Sequence, residues 1–297
     1  MAARIIKYAR FVCAVLCAFM LASCASTFVT ENYHLESRSL QGGTVLTVVL
    51  ISDLHSTIYG EDQSPLIDAV REAEPDLIIL AGDIVDDKRP LEGTALLLEG
   101  IRDIAPLLYV TGNHEYMSNN IAGIRRFLES RRVLILSDRW QRIRVRENEI
   151  LVAGIEDPYK KKKEDPRYDQ KAVMEKIFKD LDEMPGYKIL IAHRPENIDQ
   201  YRRYNFDLVV SGHAHGGQWR IPGILPNGLY APHQGIFPAY TGGQYSIPGS
   251  GEMTLIVSRG LSVNRPRFPR INNPPELAVI QVSGVLLTGP PPGSDGR

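Results

Sequence analysis

The chain has 297 residues, 43% of them hydrophobic and 23% charged, proportions of an ordinary globular protein that exclude disordered and collagen-like chains. Thirty-four Lys and Arg against 35 Asp and Glu give a formal net charge of -1. No global positive field therefore exists to hold nucleic acid, and any anionic ligand must be bound locally.

Arg4, Lys7 and Arg10 precede an apolar stretch from Phe11 to Ala22, too short to span a bilayer comfortably and patterned as an export signal. It ends in Leu21-Ala22-Ser23-Cys24, which resembles the lipobox of bacterial lipoproteins. The resemblance implies a signal peptide at residues 1–23, cleavage before Cys24, and acylation of the Cys24 thiol and new amino group. An uncleaved helical anchor that adds Ile5 and Ile6 to the apolar run is the alternative, and both readings put the body of the protein at a membrane. Cys13 and Cys17 lie in the leader, so the body beyond Cys24 has no cysteine and no disulfide. Loss of residues 1–23 removes three positive charges and no acidic ones, which leaves a mildly acidic chain of net charge -4. That balance disfavours nucleic acid as a partner.

Residues 24–43 are polar, lack periodicity and end in Gly42-Gly43, the pattern of a lipidated N-terminus, a tether and a leading loop. Short apolar runs then recur at Val45–Ile51, Leu77–Leu80, Leu107–Val110, Ile189–Ala192 and Leu208–Val210, and their length and composition predict buried strands. Helical patterns lie between them. Ser64-Pro65 offers a cap and an N-terminal Pro to a helix carrying Leu66, Ala69, Val70 and Ala73. Asn120 precedes a second, with Ile121, Ile124, Phe127 and Leu128, and Val173, Ile177 and Leu181 mark a third. Lys160–Lys163 reads as a solvated loop. Residues 216–251, rich in Gly, Pro and aromatics, read as an ordered, irregular excursion before closing strands at Thr254–Val257 and Leu277–Val282. Residues 285–297, with Pro290-Pro291-Pro292, read as a flexible tail. The alternation predicts an α/β layered fold in one domain, residues 44–284.

Each apolar run is followed within a few residues by side chains able to ligate metal, which core packing does not require. In order they are Asp53 and His55, Asp83, Asn113 with His114, His193, and His213 with His215. Five of the seven histidines fall in this set, with only His34 and His233 outside it. In open α/β sheets the carboxyl ends of strands converge on one crevice. Anionic oxygens neutralise a hard dication, and imidazoles extend the site to borderline transition metals. Asp53 and His55 are two apart and can face the same ion. Asp83 follows Gly82 in a turn and has two oxygens to bridge two ions. Asn113 supplies a neutral amide oxygen.

The ordered set Asp-x-His, Gly-Asp, Gly-Asn-His-Glu, a lone His and Gly-His-x-His resembles the signature of the calcineurin-like metallophosphoesterases. Ala192-His193-Arg194-Pro195-Glu196, Gly212 to Gln218, Ser258-Arg259-Gly260 and Arg270-Ile271-Asn272-Asn273 resemble its bacterial membrane-associated, YkuE-like and YaeI-like phosphodiesterase branch. The likeness runs from about residue 45 to 283. It implies a four-layer αββα sandwich with two mixed β-sheets and a two-metal site on its edge. Asp53, His55, Asp83 and His215 would hold one divalent ion and Asp83, Asn113, His193 and His213 the other, with manganese the first expectation and iron or zinc alternatives. A hydroxide shared by the ions would attack phosphorus in line. His114 would donate a hydrogen bond or proton to the substrate, oriented and charged by Glu115.

Weaker signals remain. Arg194 would touch a substrate phosphate or fix its loop through a salt bridge. Trp219, Tyr230, Phe237, Tyr240 and Tyr245 would line a lipid or base pocket, but packing of the long loop is the favoured reading. Lys160–Lys163 would contact anionic headgroups only if the solvated-loop reading fails, and His233 reads as structural. The leading function is a monomeric, membrane-anchored hydrolase of a phosphodiester, possibly lipid-linked, facing out of the cytoplasm as a cell-membrane or outer-membrane lipoprotein. The alternatives are a pyrophosphate hydrolase of the UDP-2,3-diacylglucosamine type and a non-catalytic envelope lipoprotein that binds metal or a polyanion.

Overall fold

Apolar runs buried on both faces must serve two cores at once, and strand periodicity divides them. A computed structural model describes residues 27–181, 183–249, 251, 253–263 and 269–285; the proposed signal peptide, Cys24 and the Pro-rich tail lie outside these residues. The first half comprises β1 (Val29–Ser37), β2 (Val45–Ile51), α1 (Ser64–Glu72), β3 (Leu77–Ala81), α2 (Glu92–Ile101), β4 (Leu107–Val110), α3 (Asn113–Met117), α4 (Ile121–Glu129) and β5 (Val133–Ile135). The second half begins with β6 (Arg139–Val145), β7 (Asn148–Ile155), α5 (Lys160–Lys163), α6 (Gln170–Phe178) and β8 (Tyr187–Ala192). It continues with α7 (Ile198–Tyr201), β9 (Leu208–Ser211), β10 (Tyr230–Ala231), β11 (Gly235–Ile236), β12 (Gly243–Ser246), β13 (Thr254–Val257) and β14 (Glu276–Gly284).

Two six-stranded mixed sheets result, in the orders β1-β14-β2-β3-β4-β5 and β12-β13-β9-β8-β7-β6. Strands β2 to β5 run parallel, as do β7, β8, β9 and β13. Successive side chains of a strand point to opposite faces. In β2, Leu46, Val48 and Leu50 meet Ile150, Val152, Ile189, Ile191 and Val210 of the other sheet. Val49 and Ile51 pack outward with Leu66 and Val70 of α1 and Leu97, Leu98 and Ile101 of α2. The second sheet does the same, with Leu151, Ala153 and Leu190 turned outward to Met174 and Phe178 of α6. Three apolar layers between four layers of secondary structure give the expected αββα sandwich. Because β2, β3, β4, β8 and β9 are parallel members of their sheets, the loops after them gather at one end of the molecule.

Four stretches differ from the sequence-based expectation. Residues 29–37, read as part of a tether, form β1, which pairs along its length with β14 and buries Tyr33, Leu35 and Ser37. Only one side of this edge strand is covered, so two buried apolar residues are all the pattern it needs. Residues 139–155 form the hairpin β6–β7, whose outer strand is too charged to read as apolar. Lys160–Lys163 form one helical turn, tied down where Lys160 Nζ donates to Asp138 at 3.0 Å. The 216–251 excursion is partly regular, containing the β10–β11 hairpin and edge strand β12. Helix α2 carried no expectation.

Strand β1 thus belongs to the folded domain. A chain starting at residue 27 is expected to fold, whereas one starting at residue 44 exposes the edge of β14 and loses the burial of Tyr33 and Leu35. At about 1.5–3 kcal/mol for each such side chain, urea denaturation should show a loss of at least about 3 kcal/mol, with aggregation through the open edge.

Candidate metal centre

The ligand loops are held in backbone conformations that side chains seldom adopt. Asp53, His55, Asp83, His213 and His215 all have positive φ, between 48° and 67°, a region that Asp and His tolerate better than most residues but at a cost. Hydrogen bonds between loops impose it. Asp53 N donates to Gly82 O at 3.1 Å, His55 N to Asp83 O at 2.9 Å, and Gly212 N to His193 O at 3.1 Å. Glycines let the loops approach: a Cβ at Gly112 would collide with the Asp83 carboxylate, and one at Gly212 with Ser52 and Asp53.

The structure brings six of the seven expected ligands together in two groups. Asp53, His55 and His215 offer ligand atoms within 4.8 Å of one another, as do Asp83, His193 and His213. His215 Nε2 lies 3.4 Å from Asp53 Oδ1. Asp83 Oδ2 stands between the groups, 3.6 Å from His55 Nε2 and 3.3 Å from His193 Nε2, the position a bridging carboxylate requires. Both aspartates are buried, at 0% and 1% exposure.

Polar atoms without partners test whether this donor set fits cations. Asp53 Oδ1, Asn113 Oδ1 and His193 Nε2 are buried with no hydrogen-bond partner, each an expense of about 1–3 kcal/mol or more. Their sibling atoms are engaged. Asp53 Oδ2 accepts from His213 N at 2.9 Å and from Ser52 Oγ. Asn113 Nδ2 reaches Met117 Sδ at 3.9 Å. His193 Nδ1 donates to Ala81 O at 2.8 Å. One donor atom of each residue is thus left without a protein partner, as a site that binds cations would leave it. The field agrees. Burial acts to strip the His193 proton, but the Asp83, Asp53 and Asp157 carboxylates raise its pKa to about 10. Burial likewise acts to raise Asp83, but the His193, His114 and His55 imidazoles hold it well below the usual carboxylate range.

Outer partners orient the imidazoles, as is usual for metal ligands. Asp86 Oδ2 lies 3.2 Å from His55 Nδ1, and Ser262 Oγ lies 3.3 Å from His215 Nδ1. His213 Nε2 is 2.9 Å from His233 Nδ1, with the rings stacked, which leaves His213 Nδ1 for an ion. Burial and the His193 charge push His213 well down.

One expectation is corrected, and Arg194 and His233 find their partners. Glu115 does not orient His114. Its carboxylate accepts four backbone amides, from Asp83 at 3.0 Å, Ile84 at 2.7 Å, Val85 at 3.0 Å and Gly112 at 2.8 Å, and so clamps two ligand loops together. Asp87 faces His114 instead, 2.6 Å from its Nδ1. Arg194 makes the salt bridge that was one of its two readings, pairing through Nε and Nη2 with Asp157 at 2.6 and 3.1 Å. His233 touches a ligand rather than standing apart. Tyr240 and Tyr245 pack on the outer core as expected, whereas Trp219, Tyr230 and Phe237 are exposed. Asp86-Asp87, three residues after Asp83, were a legible acidic pair. No local signal marked His233.

A family model described as calcineurin-like phosphoesterase matches residues 46–217. An uncharacterized metallophosphoesterase of Aquifex aeolicus is 28% identical over 264 residues, 86% of this chain and 91% of its own. The uncharacterized metallophosphoesterase YkuE of Bacillus subtilis is 26% identical over 242 residues, 80% of this chain and 79% of its own. Of two further curated relatives the chain spans only 54% and 56%. Among solved structures, the NAD nucleotidase of Haemophilus influenzae superposes with a TM-score of 0.51 at 17% identity, over 75% of this chain and 46% of that one, a likeness of fold.

Glu115→Ala is expected to leave four buried amides without an acceptor. At about 1–3 kcal/mol each, the variant should lose at least about 4 kcal/mol in urea denaturation, far more than His114→Ala, which leaves that clamp intact.

Proposed function

This chain belongs to the calcineurin-like phosphoesterase family and is a metal-dependent phosphoester hydrolase; on that footing we propose that it is a membrane-anchored phosphodiesterase using two manganese ions. The observation that carries the reading is the pair of Asp and His clusters that meet at Asp83, together with unpartnered buried atoms on Asp53, Asn113 and His193.

Asp53, His55, Asp83 and His215 would hold one ion and Asp83, Asn113, His193 and His213 the other. When bound, the pair supplies Lewis acidity at phosphorus and lowers the pKa of water. The chain's own groups do the rest. Asp87 holds the Nδ1 proton of His114, so Nε2 is the nitrogen able to pass a proton to the leaving oxygen. His114 is also fixed through its backbone, where N donates to Asp83 Oδ1 at 2.8 Å. Hence the proton donor moves with the bridging carboxylate.

The leader supports anchoring: Arg4, Lys7 and Arg10, the Phe11–Ala22 run and Cys24 fit export and lipid attachment at the cell membrane or outer membrane, with the hydrolase outside the cytoplasm. Among the described residues no helix is long and apolar enough to cross a membrane.

Dialysis against EDTA is expected to abolish hydrolysis of bis-p-nitrophenyl phosphate, and Mn²⁺ to restore it. Asp83→Asn should lose both activity and bound metal by elemental analysis. His114→Ala should keep its metals and slow turnover by about 10²–10⁴-fold, the range for general acid–base groups. Asp87→Asn should follow it in the same direction. Full activity of metal-loaded Asp83→Asn would contradict the bridging role.

A further inference from the structure

Nine large apolar side chains are exposed among the described residues, and six of them lie between residues 219 and 237: Trp219, Ile221, Ile224, Tyr230, Ile236 and Phe237. Ile224, Ile236 and Phe237 are 73%, 66% and 70% exposed. Isolated surface apolar residues need no explanation, but a concentration of this kind on one short excursion marks an interaction surface.

The excursion is fastened to the metal centre. It starts directly after His215. Its middle returns to the same point, where Leu229 N donates to Gly217 O at 2.9 Å. The hairpin of Tyr230 and Ile236, which pair across strands, carries His233 in its turn, 2.9 Å from the ligand His213. Ile58, another of the exposed nine, sits in the loop after Asp53 and His55, and Val29 is at the same end.

The position of Val29 decides what covers this surface. Strand β14 is antiparallel to β2, so its first residue, Glu276, lies at the end where β2 delivers Asp53. Strand β1 is parallel to β14, and Val29 pairs with Glu276. The chain therefore enters the fold at the ligand end. Val29 is five positions after Cys24, and an extended chain of that length reaches no more than about 18 Å. A lipid on Cys24 would hold the bilayer within that distance of Val29, and an anchor ending at Ala22 two residues farther out, both at the ligand end of the fold.

We propose that the 219–237 excursion docks on the lipid bilayer to which the chain is tethered, its apolar side chains entering the interface, so that the metal centre faces phosphoesters presented at the membrane surface. This inference rests on the anchor reading given above. The mature charge of -4 gives no general attraction to anionic lipid, so apolar insertion is the driving force.

The chain has two tryptophans, Trp140 and Trp219, and none in the leader, which makes Trp219 a depth reporter. Full-length Trp140→Phe protein would be reconstituted with vesicles of phosphatidylethanolamine and phosphatidylglycerol, with and without brominated acyl chains. Flotation and Trp219 emission would be read together. The proposal expects protein that floats, with Trp219 emission shifted to the blue and quenched by bromine. Ile224→Asp with Phe237→Asp should abolish the quenching yet leave bis-p-nitrophenyl phosphate hydrolysis unchanged. The same pair in the Trp140 background should remove the bromine-sensitive part of the emission, should Trp140→Phe fold poorly. Protein that floats with Trp219 unquenched overturns the docking and leaves the anchor standing. A blue-shifted Trp219 that bromine does not touch means that a second copy covers the surface, which also overturns it. Protein that does not float removes the anchor reading and the docking with it.

Discussion

Two aspartates, Asp53 and Asp83, are buried at the end of a pair of packed sheets, and an uncompensated buried carboxylate costs several kcal/mol. The architecture of the ligand end answers that charge. Imidazoles from three loops crowd around Asp83, backbone amides of His213 and His114 donate to the two carboxylates, and buried donor atoms are left without a protein partner. Hydrogen bonding is incomplete in the way expected of a site whose remaining positive charge comes from cations. The same loops carry five ligand residues at positive φ, with a conformational cost of about 1–2 kcal/mol apiece by the handedness argument. Such strain persists where the surrounding structure over-determines it, and the cross-links between loops do so here.

Behind the ligands stands a second ring of groups that fixes which atom each ligand presents. His193 is turned by a backbone carbonyl, His55 by Asp86, His215 by Ser262 and His213 by His233. Glu115 and Glu156 act further back, on the backbone. Glu156 is fully buried and accepts from the hydroxyls of Thr111, Ser137 and Tyr116 and from Arg125. It anchors Thr111, the residue that leads into Gly112-Asn113-His114. The outward route to solvent from this ring is the 219–237 excursion, through His233. Site geometry and surface character are thus coupled in one segment.

Much of this was legible in the chain itself. The runs at Val45–Ile51, Leu77–Leu80, Leu107–Val110, Ile189–Ala192 and Leu208–Val210 are continuous because both faces of each strand are buried, so their recognition needed no knowledge of partners. All seven ligands could be named because each sits directly after such a run. Edge elements escaped for the converse reason. Strand β1 buries one face only, and β6, with three arginines among its seven residues, faces water on much of its length, so neither shows a strong periodicity.

By itself the sequence determined the layered α/β fold, the ligand residues and their order, since these follow from local periodicity and from residue type at strand ends. Tertiary structure alone decided the partners: Asp87 rather than Glu115 beside His114, Asp157 holding Arg194, His233 against His213, and the entry of β1 at the ligand end. Those are contacts between residues 20 to 247 positions apart, and no local pattern encodes them, because a hydrogen bond across loops depends on where two sheets place their ends. A pair of cations was implied by the family resemblance, but the hydrogen-bond partners of each donor were settled only when the chain closed around Asp83.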